Sequence, residues 1–296
     1  MLRYKIFCIV LLLSVVHMQG QERVEVITRG DVTPKESFLE KMKGDFLAVP
    51  YFTERTGVGF VMAYSVGQKF LLTGNVSYGE SLQKMMFKAG YTFGICDNFS
   101  AGPVLGYSRI KWNEDAPTSA FSAGGVAQYD TRDNIAAPSS GILALVKHSN
   151  YSDFTAAPYF GTVLQFDAYS RLWEGGVLAF DACCEFMYGQ VPWDMLSTVG
   201  DSQRMRGYQM WKYRDNNALS MQVELRQRVW GIFGAAMWAG GAVLWGEENS
   251  FSFGNALPNA GFGIRMSLAR NLSLRFDWGI GKDGQNGLVF GINEAF

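Results

Sequence analysis

The sequence predicts an all-β chain, a transmembrane antiparallel β-barrel of about 14 strands within a range of 12–16. Three observations lead there. The 296 residues combine 48% apolar and 15% aromatic content with only 18% charge and a mean hydropathy of +0.00. That balance suits neither a water-soluble domain nor a bundle of membrane helices, and it excludes intrinsic disorder. Apolar side chains recur at every second position over stretches of about ten residues, with charge held to the alternate positions. The chain also opens like an exported protein, because Arg3 and Lys5 precede the apolar run from Ile6 to Val16, and Gly20 precedes polar Gln21-Glu22-Arg23.

That apolar run is too short to cross about 30 Å of hydrocarbon, so residues 1–20 are expected to be a cleavable signal peptide. Cys8 lies in the run without the small residues that precede a lipidated cysteine. Residues 21–44, with Pro34 opening a short helix towards Lys43, are expected to be a short periplasmic tether, too short for a folded domain. Residues 45–296 then form the barrel, placed in the bacterial outer membrane with its lipid as first partner. Net charge is −1, and −3 once Arg3 and Lys5 are set aside, so no nucleic-acid partner is expected.

The strands run in order at 45–53, 57–66, 69–79, 82–94, 98–111, 118–129, 141–149, 159–171, 175–190, 216–229, 232–246, 258–269, 271–280 and 287–296. The clearest alternations set Val58, Phe60, Met62 and Tyr64 against Gly57, Gly59, Val61 and Ala63. Leu219, Met221, Val223 and Leu225 alternate with Ser220, Gln222, Glu224 and Arg226. Leu274, Phe276, Trp278 and Ile280 alternate with Ser273, Arg275, Asp277 and Gly279. In a soluble β-sandwich the apolar face would point inward. Here the polar faces are rich in Gly, Ser and isolated Arg or Asp, and aromatics cluster at strand ends, as in membrane barrels. A sheet in a bilayer cannot leave edge N–H and C=O groups unpaired, which requires closure. An even strand number puts both termini on the periplasmic side, with short turns at Gly67-Gln68, Cys96-Asp97 and Arg270. Segments 191–215 and 247–257 are then extracellular.

Two segments go beyond generic barrel chemistry. Asp130-Thr131-Arg132-Asp133-Asn134 followed by Pro138-Ser139-Ser140-Gly141 resembles the periplasmic turn of the BamA/TamA outer-membrane superfamily. Arg204-Met205-Arg206-Gly207-Tyr208 resembles that family's V-R-G-F/Y motif, and Tyr213-Arg214-Asp215 and Val223-Glu224-Leu225 resemble the loop end and strand that come after the motif in the family. The likeness runs from Asp130 to Phe296. It is looser before Asp130, where Glu54-Arg55-Thr56-Gly57 matches the first hairpin and one hairpin is missing. The chain is thus similar to a family member without POTRA domains.

The resemblance implies a loop folded into the lumen, with Arg206, Gly207 and Tyr208 as its motif and Glu224 as an acidic partner of Arg206. The family's second acid, in a D-x-G context, is replaced here by Ala239-Gly240-Gly241, which leaves Asp277 and Asp215 as alternatives. It implies Asp130, Arg132, Asp133, Asn134, Pro138 and Gly141 as the periplasmic turn motif, and a weak seam between first and last strands. Pro50, which lacks an N–H, either weakens that seam or marks an irregularity of the sheet, and Gly291 sits in the last strand. Phe290, Ile292 and Phe296, at even spacing, resemble a C-terminal sorting signal. Glu294 departs from that pattern and is expected near the periplasmic interface.

The resemblance further implies a role in inserting or translocating client proteins at the outer membrane, with periplasmic accessory proteins as partners. The alternative is a passive pore or structural barrel. No enzymatic activity, cofactor or metal is expected. His17 and His148 are the two histidines, too few for a histidine metal cluster, and no G-x-S-x-G motif occurs. Cys96, Cys183 and Cys184 make an odd set with no disulfide framework and are expected to pack as small residues. Glu185, Glu224 and Asp277 are expected to balance Arg226, Arg265 and Arg275 inside the barrel.

Overall fold

The structure, a computed structural model, describes residues 45–53, 57–66, 70–78, 82–112, 116–135, 137–153, 157–209, 211–269 and 272–296. The expected signal peptide and tether lie outside these residues, as do Glu54-Arg55-Thr56, Gly67-Gln68 and Arg270. The strands in chain order are β1 (Asp45–Thr53), β2 (Gly57–Val66), β3 (Phe70–Tyr78), β4 (Leu82–Tyr91), β5 (Phe93–Cys96), β6 (Phe99–Trp112), β7 (Thr118–Asp130), β8 (Gly141–Ser152) and β9 (Tyr159–Trp173). They continue with β10 (Gly176–Gly189), β11 (Ser197–Thr198), β12 (Arg214–Asp215), β13 (Asn217–Trp230), β14 (Phe233–Trp245), β15 (Leu257–Ala269), β16 (Leu272–Gly281) and β17 (Asn286–Ile292). The fourteen expected strands fall on β1–β4, β6–β10 and β13–β17 among the described residues.

The chain divides into two compact units, one of residues up to 90 with 106–117, the other of 91–105 with 118–296. In the first, β1 pairs antiparallel with β2 from Asp45↔Ser65 to Thr53↔Gly57, and β2 with β3 from Val58↔Tyr78 to Val66↔Phe70. In the second, β7 to β10 pair in succession, β10 pairs with β13, and β13 to β17 continue the antiparallel meander. The small β11–β12 ladder lies within the long loop between β10 and β13.

The second unit inverts the usual relation of polarity to burial. Along β13, Met221 and Val223 are 46% and 44% exposed, whereas Gln222, Glu224 and Arg226 between them are buried. Phe276, Trp278 and Ile280 of β16 face outward, while Arg275 and Asp277 are buried. Outward apolar side chains need an apolar solvent, and inward charges need one another, because a buried polar group without a partner is costly. This is the transmembrane antiparallel β-barrel class that the alternation predicts.

Two elements differ from expectation. The strand expected over 82–94 is broken at Thr92 into β4 and β5. The last strand, expected over 287–296, ends at Ile292. Asn293 takes a positive φ of 62°, a conformation that asparagine tolerates better than most residues. Its N–H donates to the Ser273 carbonyl at 2.7 Å, and its side-chain oxygen accepts from the Ser273 N–H at 3.2 Å. The chain therefore turns inward, and Ala295 and Phe296 are buried against Tyr169 and Ala179. The expected outward row of Phe290, Ile292 and Phe296 is corrected accordingly, since Phe290 points outward and Phe296 inward. Glu294 reaches Arg265 at 2.8 Å.

Replacing Val223 by Arg would put a charge on the outward face of β13. The expected outcome is a loss of about 2–4 kcal/mol of unfolding free energy in lipid vesicles, if the site is near mid-membrane. Denaturant titration of the refolded protein checks it, and unchanged stability would remove Val223 from the lipid face.

Candidate functional site

The site is the loop between β10 and β13, which packs onto the inward face of β13–β16. Small residues make room for it. Across the strands, one interior row reads Tyr169, Ala179, Glu224, Trp238, Gly261, Gly279, Gly287 by direct pairing. Side chains thus shrink to hydrogen from Trp238 onward. The Trp238 ring lies where a Cβ on Gly261 would be, and the Arg206 carbonyl lies where a Cβ on Gly279 would be. Gly207 has φ +94°, and a Cβ there would overlap the Gly279 backbone. Loop backbone and barrel wall meet glycine to glycine, closer than any side chain would permit.

Arg206 is fully buried. Its Nη2 donates to Glu224 Oε2 at 2.6 Å and its Nη1 to Asp277 Oδ2 at 2.8 Å. The guanidinium carbon lies 3.5 Å from the centroid of the Trp238 ring. Two carboxylates and an aromatic face replace the water that this cation has lost, which makes the contacts short and charge-assisted. Asp277 therefore stands where Ala239-Gly240-Gly241 provides no acid. Asp215, the other alternative, instead accepts from Asn249 Nδ2 at 2.9 Å and from the Asn216 N–H at 2.8 Å.

The neighbouring charges interlock. Arg226 Nε donates to Glu224 Oε1 at 2.8 Å, Arg275 Nη1 to Asp277 Oδ2 at 2.8 Å, and Arg265 to Asp277 Oδ1. Glycine again provides the space, since a Cβ on Gly263 would overlap Asp277 and one on Gly291 would crowd Arg275 at 2.5 Å. Gly291 thus has a packing reason for being glycine. Pro50 stands within β1, paired with Phe60 of β2.

Tyr208 completes the motif. Its hydroxyl donates to the Pro258 carbonyl at 2.6 Å and accepts from the Lys282 N–H at 2.8 Å. Its ring covers Gly281, where a Cβ would overlap it, and packs with Val199, Met205, Ala242 and Leu257. Asn259, which the sequence motifs do not single out, ties three parts together. Its Nδ2 donates to the Arg206 carbonyl at 2.8 Å and to the Ile280 carbonyl at 3.0 Å, and its Oδ1 accepts from Trp238 Nε1 at 2.9 Å. Inward parity on β15, one row from Trp238, is the signal that could have found it.

A second anchor is likewise unmarked in the sequence. Arg204 grips Asp181 of β10 through three contacts of 2.7–3.0 Å. Asp181 is fully buried, accepts from Gln222 Nε2 at 3.0 Å and lies opposite Asp167 of β9. Asp167 accepts from Gln165 at 2.8 Å. Parity places both acids inward, but only the folded loop brings Arg204 to Asp181.

The turn motif is bound largely by its own residues, with Arg226 and Arg171 tying it to the strands. Arg132 pairs with Asp130 through Nε at 3.0 Å and Nη2 at 2.8 Å. Asn134 Oδ1 caps the Ala137 N–H at 3.2 Å, and Gly141, at φ +100°, lies too close to the Thr131 carbonyl for a Cβ. Pro138 is buried, and its carbonyl accepts from Arg226 at 3.4 Å. Asp133 accepts from the Ser139 and Ser140 N–H groups and from Arg171. Burial pushes the Asp133 carboxyl up, but the bonds from Ser139, Ser140 and Arg171 outweigh it and hold the group well below the usual carboxylate range.

No family model and no curated protein sequence matches the chain. Among solved structures, the chain is similar to BamA from Haemophilus ducreyi lacking POTRA domains 1–3. The TM-score is 0.58 and the identity 13%, over 84% of this chain and 69% of that one. A monoaromatic hydrocarbon channel, CymD, matches with TM-score 0.43 and 8% identity, over 84% of this chain and 85% of that one. The first likeness shows a BamA-like barrel fold.

Two outcomes check this geometry. Gly279→Ala should lower the temperature at which the folded band on unboiled gels is lost and open residues 200–208 to protease. Gly287→Ala, whose Cβ would sit at an ordinary 3.4 Å from Gly207, should do neither. A carboxyl whose pKa falls on folding lends stability that is complete above its unfolded value of about 3.9 and is lost as pH falls towards the folded value. Hydrogen exchange in turn 131–140, corrected for its intrinsic pH dependence, should therefore accelerate on acidification below about 4. Asp133→Asn should lack that acid-dependent step.

Proposed function

We propose that this chain is an outer-membrane barrel of the BamA/TamA superfamily, without catalytic activity, that aids the insertion or translocation of client proteins. The observation that carries the reading is the buried Arg206 between Glu224, Asp277 and Trp238, with Gly207 seated on Gly279. Combined with a BamA-like fold, it supports a barrel whose lumen is filled by its own loop rather than left as an open water channel. The apolar outward face and the leader-like first twenty residues support the outer membrane as its location. Periplasmic accessory proteins would deliver the clients.

A loop held by ion pairs makes an insulating plug while the pairs last. Arg206→Ala removes the two ion pairs, to Glu224 and Asp277, that hold the loop inside, a change of about 3–5 kcal/mol against the loop-in state. In planar bilayers the unaltered protein should conduct poorly and Arg206→Ala should conduct strongly. Full conductance before any substitution would favour the passive pore. The assembly role itself is checked by depleting the protein and measuring the outer-membrane proteome; an unchanged set of barrels and surface lipoproteins would reject it.

A further inference from the structure

The ion pairs around Arg206 do not end at Asp277 and Glu224. From Glu224 they pass to Arg226 at 2.8 Å, from Arg226 to Glu294 at 3.5 Å, and from Glu294 to Arg265 at 2.8 Å. Arg265 then meets Asp277, and Asp277 returns to Arg206 at 2.8 Å. The result is a closed ring of alternating charge, drawn from β13, β15, β16, the lumen loop and the segment beyond β17.

Glu294, like Arg206, is a ring member that belongs to no ladder. Asn293–Phe296 is held by the Asn293–Ser273 bracket, by the two arginines on Glu294, and by Phe296. The Phe296 carbonyl accepts from Arg226 Nη2 at 2.9 Å, and its ring lies 5.1 Å from that guanidinium carbon and 6.3 Å from the Tyr169 ring. Arg226 therefore divides its donors among the acid that holds the loop, the Pro138 carbonyl and the segment beyond the last strand.

We propose that Asn293–Phe296 is a latch on the lumen loop, so that withdrawing this segment from the interior loosens Arg206. Four buried arginines, 206, 226, 265 and 275, face three acids, Glu224, Asp277 and Glu294. Removing Glu294 takes away one of the negative charges that face these four arginines, in a region of little water where like charges repel strongly. Arg226, Arg265 and Arg275 are fixed on strands with full backbone ladders. Arg206 alone is carried by a loop, so its departure is the least costly relief. A partner that engages the end of β17 would thereby act on the lumen without touching the loop. The coupling holds whether or not the barrel handles clients, and its test does not use conductance.

Hydrogen exchange with mass spectrometry on the full chain in detergent or nanodiscs provides that test, with Glu294→Gln and Phe296→Ala as variants. Phe296→Ala removes no charge and frees the segment through lost packing. Exchange in residues 200–208 should accelerate about tenfold or more in both variants, while β9 and β10 keep their protection. Phe296→Leu, which retains an apolar side chain, should restore the slow exchange. Acceleration confined to 293–296, with 200–208 unchanged, would overturn the latch. Retention of the heat-sensitive gel shift verifies that each variant is folded, and Phe296→Ala decides the matter if Glu294→Gln is not.

Discussion

A guanidinium with no access to water must find carboxylates, and much of this molecule is arranged around that requirement at Arg206. The cation reaches its acids because the opposite wall is stripped to hydrogen at Gly279, and Gly261 leaves room for the Trp238 ring beneath it. The acids tolerate burial because Arg226, Arg265 and Arg275 surround them, and those arginines fit because Gly263 and Gly291 leave room. The outward apolar face is the other half of the same arrangement. A chain that commits its inward positions to charge and glycine has little interior apolar surface left to bury, so its large hydrophobic side chains face out.

The loop is gripped at two points set by backbone geometry. Arg204 and Arg206 are two residues apart, yet one reaches Asp181 on β10 and the other Glu224 and Asp277 on β13 and β16. Met205 between them takes φ +52° and Gly207 adds a second positive φ of +94°, so the chain turns sharply, and the Tyr208 N–H closes on the Met205 carbonyl at 3.1 Å. A compact turn carrying two cations thus ties the adjacent strands β10 and β13 to β16, three strands further round the sheet.

Strand positions are legible in the sequence because inward and outward faces differ in polarity at every step, a signal repeated over about ten residues per strand. Glu224 as an inward acid comes from the same parity. Partners are harder to read. Asp277 lies inside β16 and Asp215 just ahead of β13, and the register Gly263↔Asp277, beside the row that carries Trp238, decides between them. Asn259, Asp167 and Asp181 are inward by parity, but nothing local marks them as partners of a loop many residues away. The inward turn at Asn293 is hidden because Phe290, Ile292, Glu294 and Phe296 continue an even spacing that looks like one strand. A single residue in a left-handed conformation ends it.

Cys183 and Cys184 are neighbours in the chain, and β10 sends them to opposite sides of the sheet, Cys183 buried and Cys184 partly exposed. One peptide bond therefore separates two thiols that sample different media, the charged interior and the greasy exterior. Their difference in reactivity towards water-soluble and oil-soluble alkylating agents is a native gauge of how well the wall keeps those media apart.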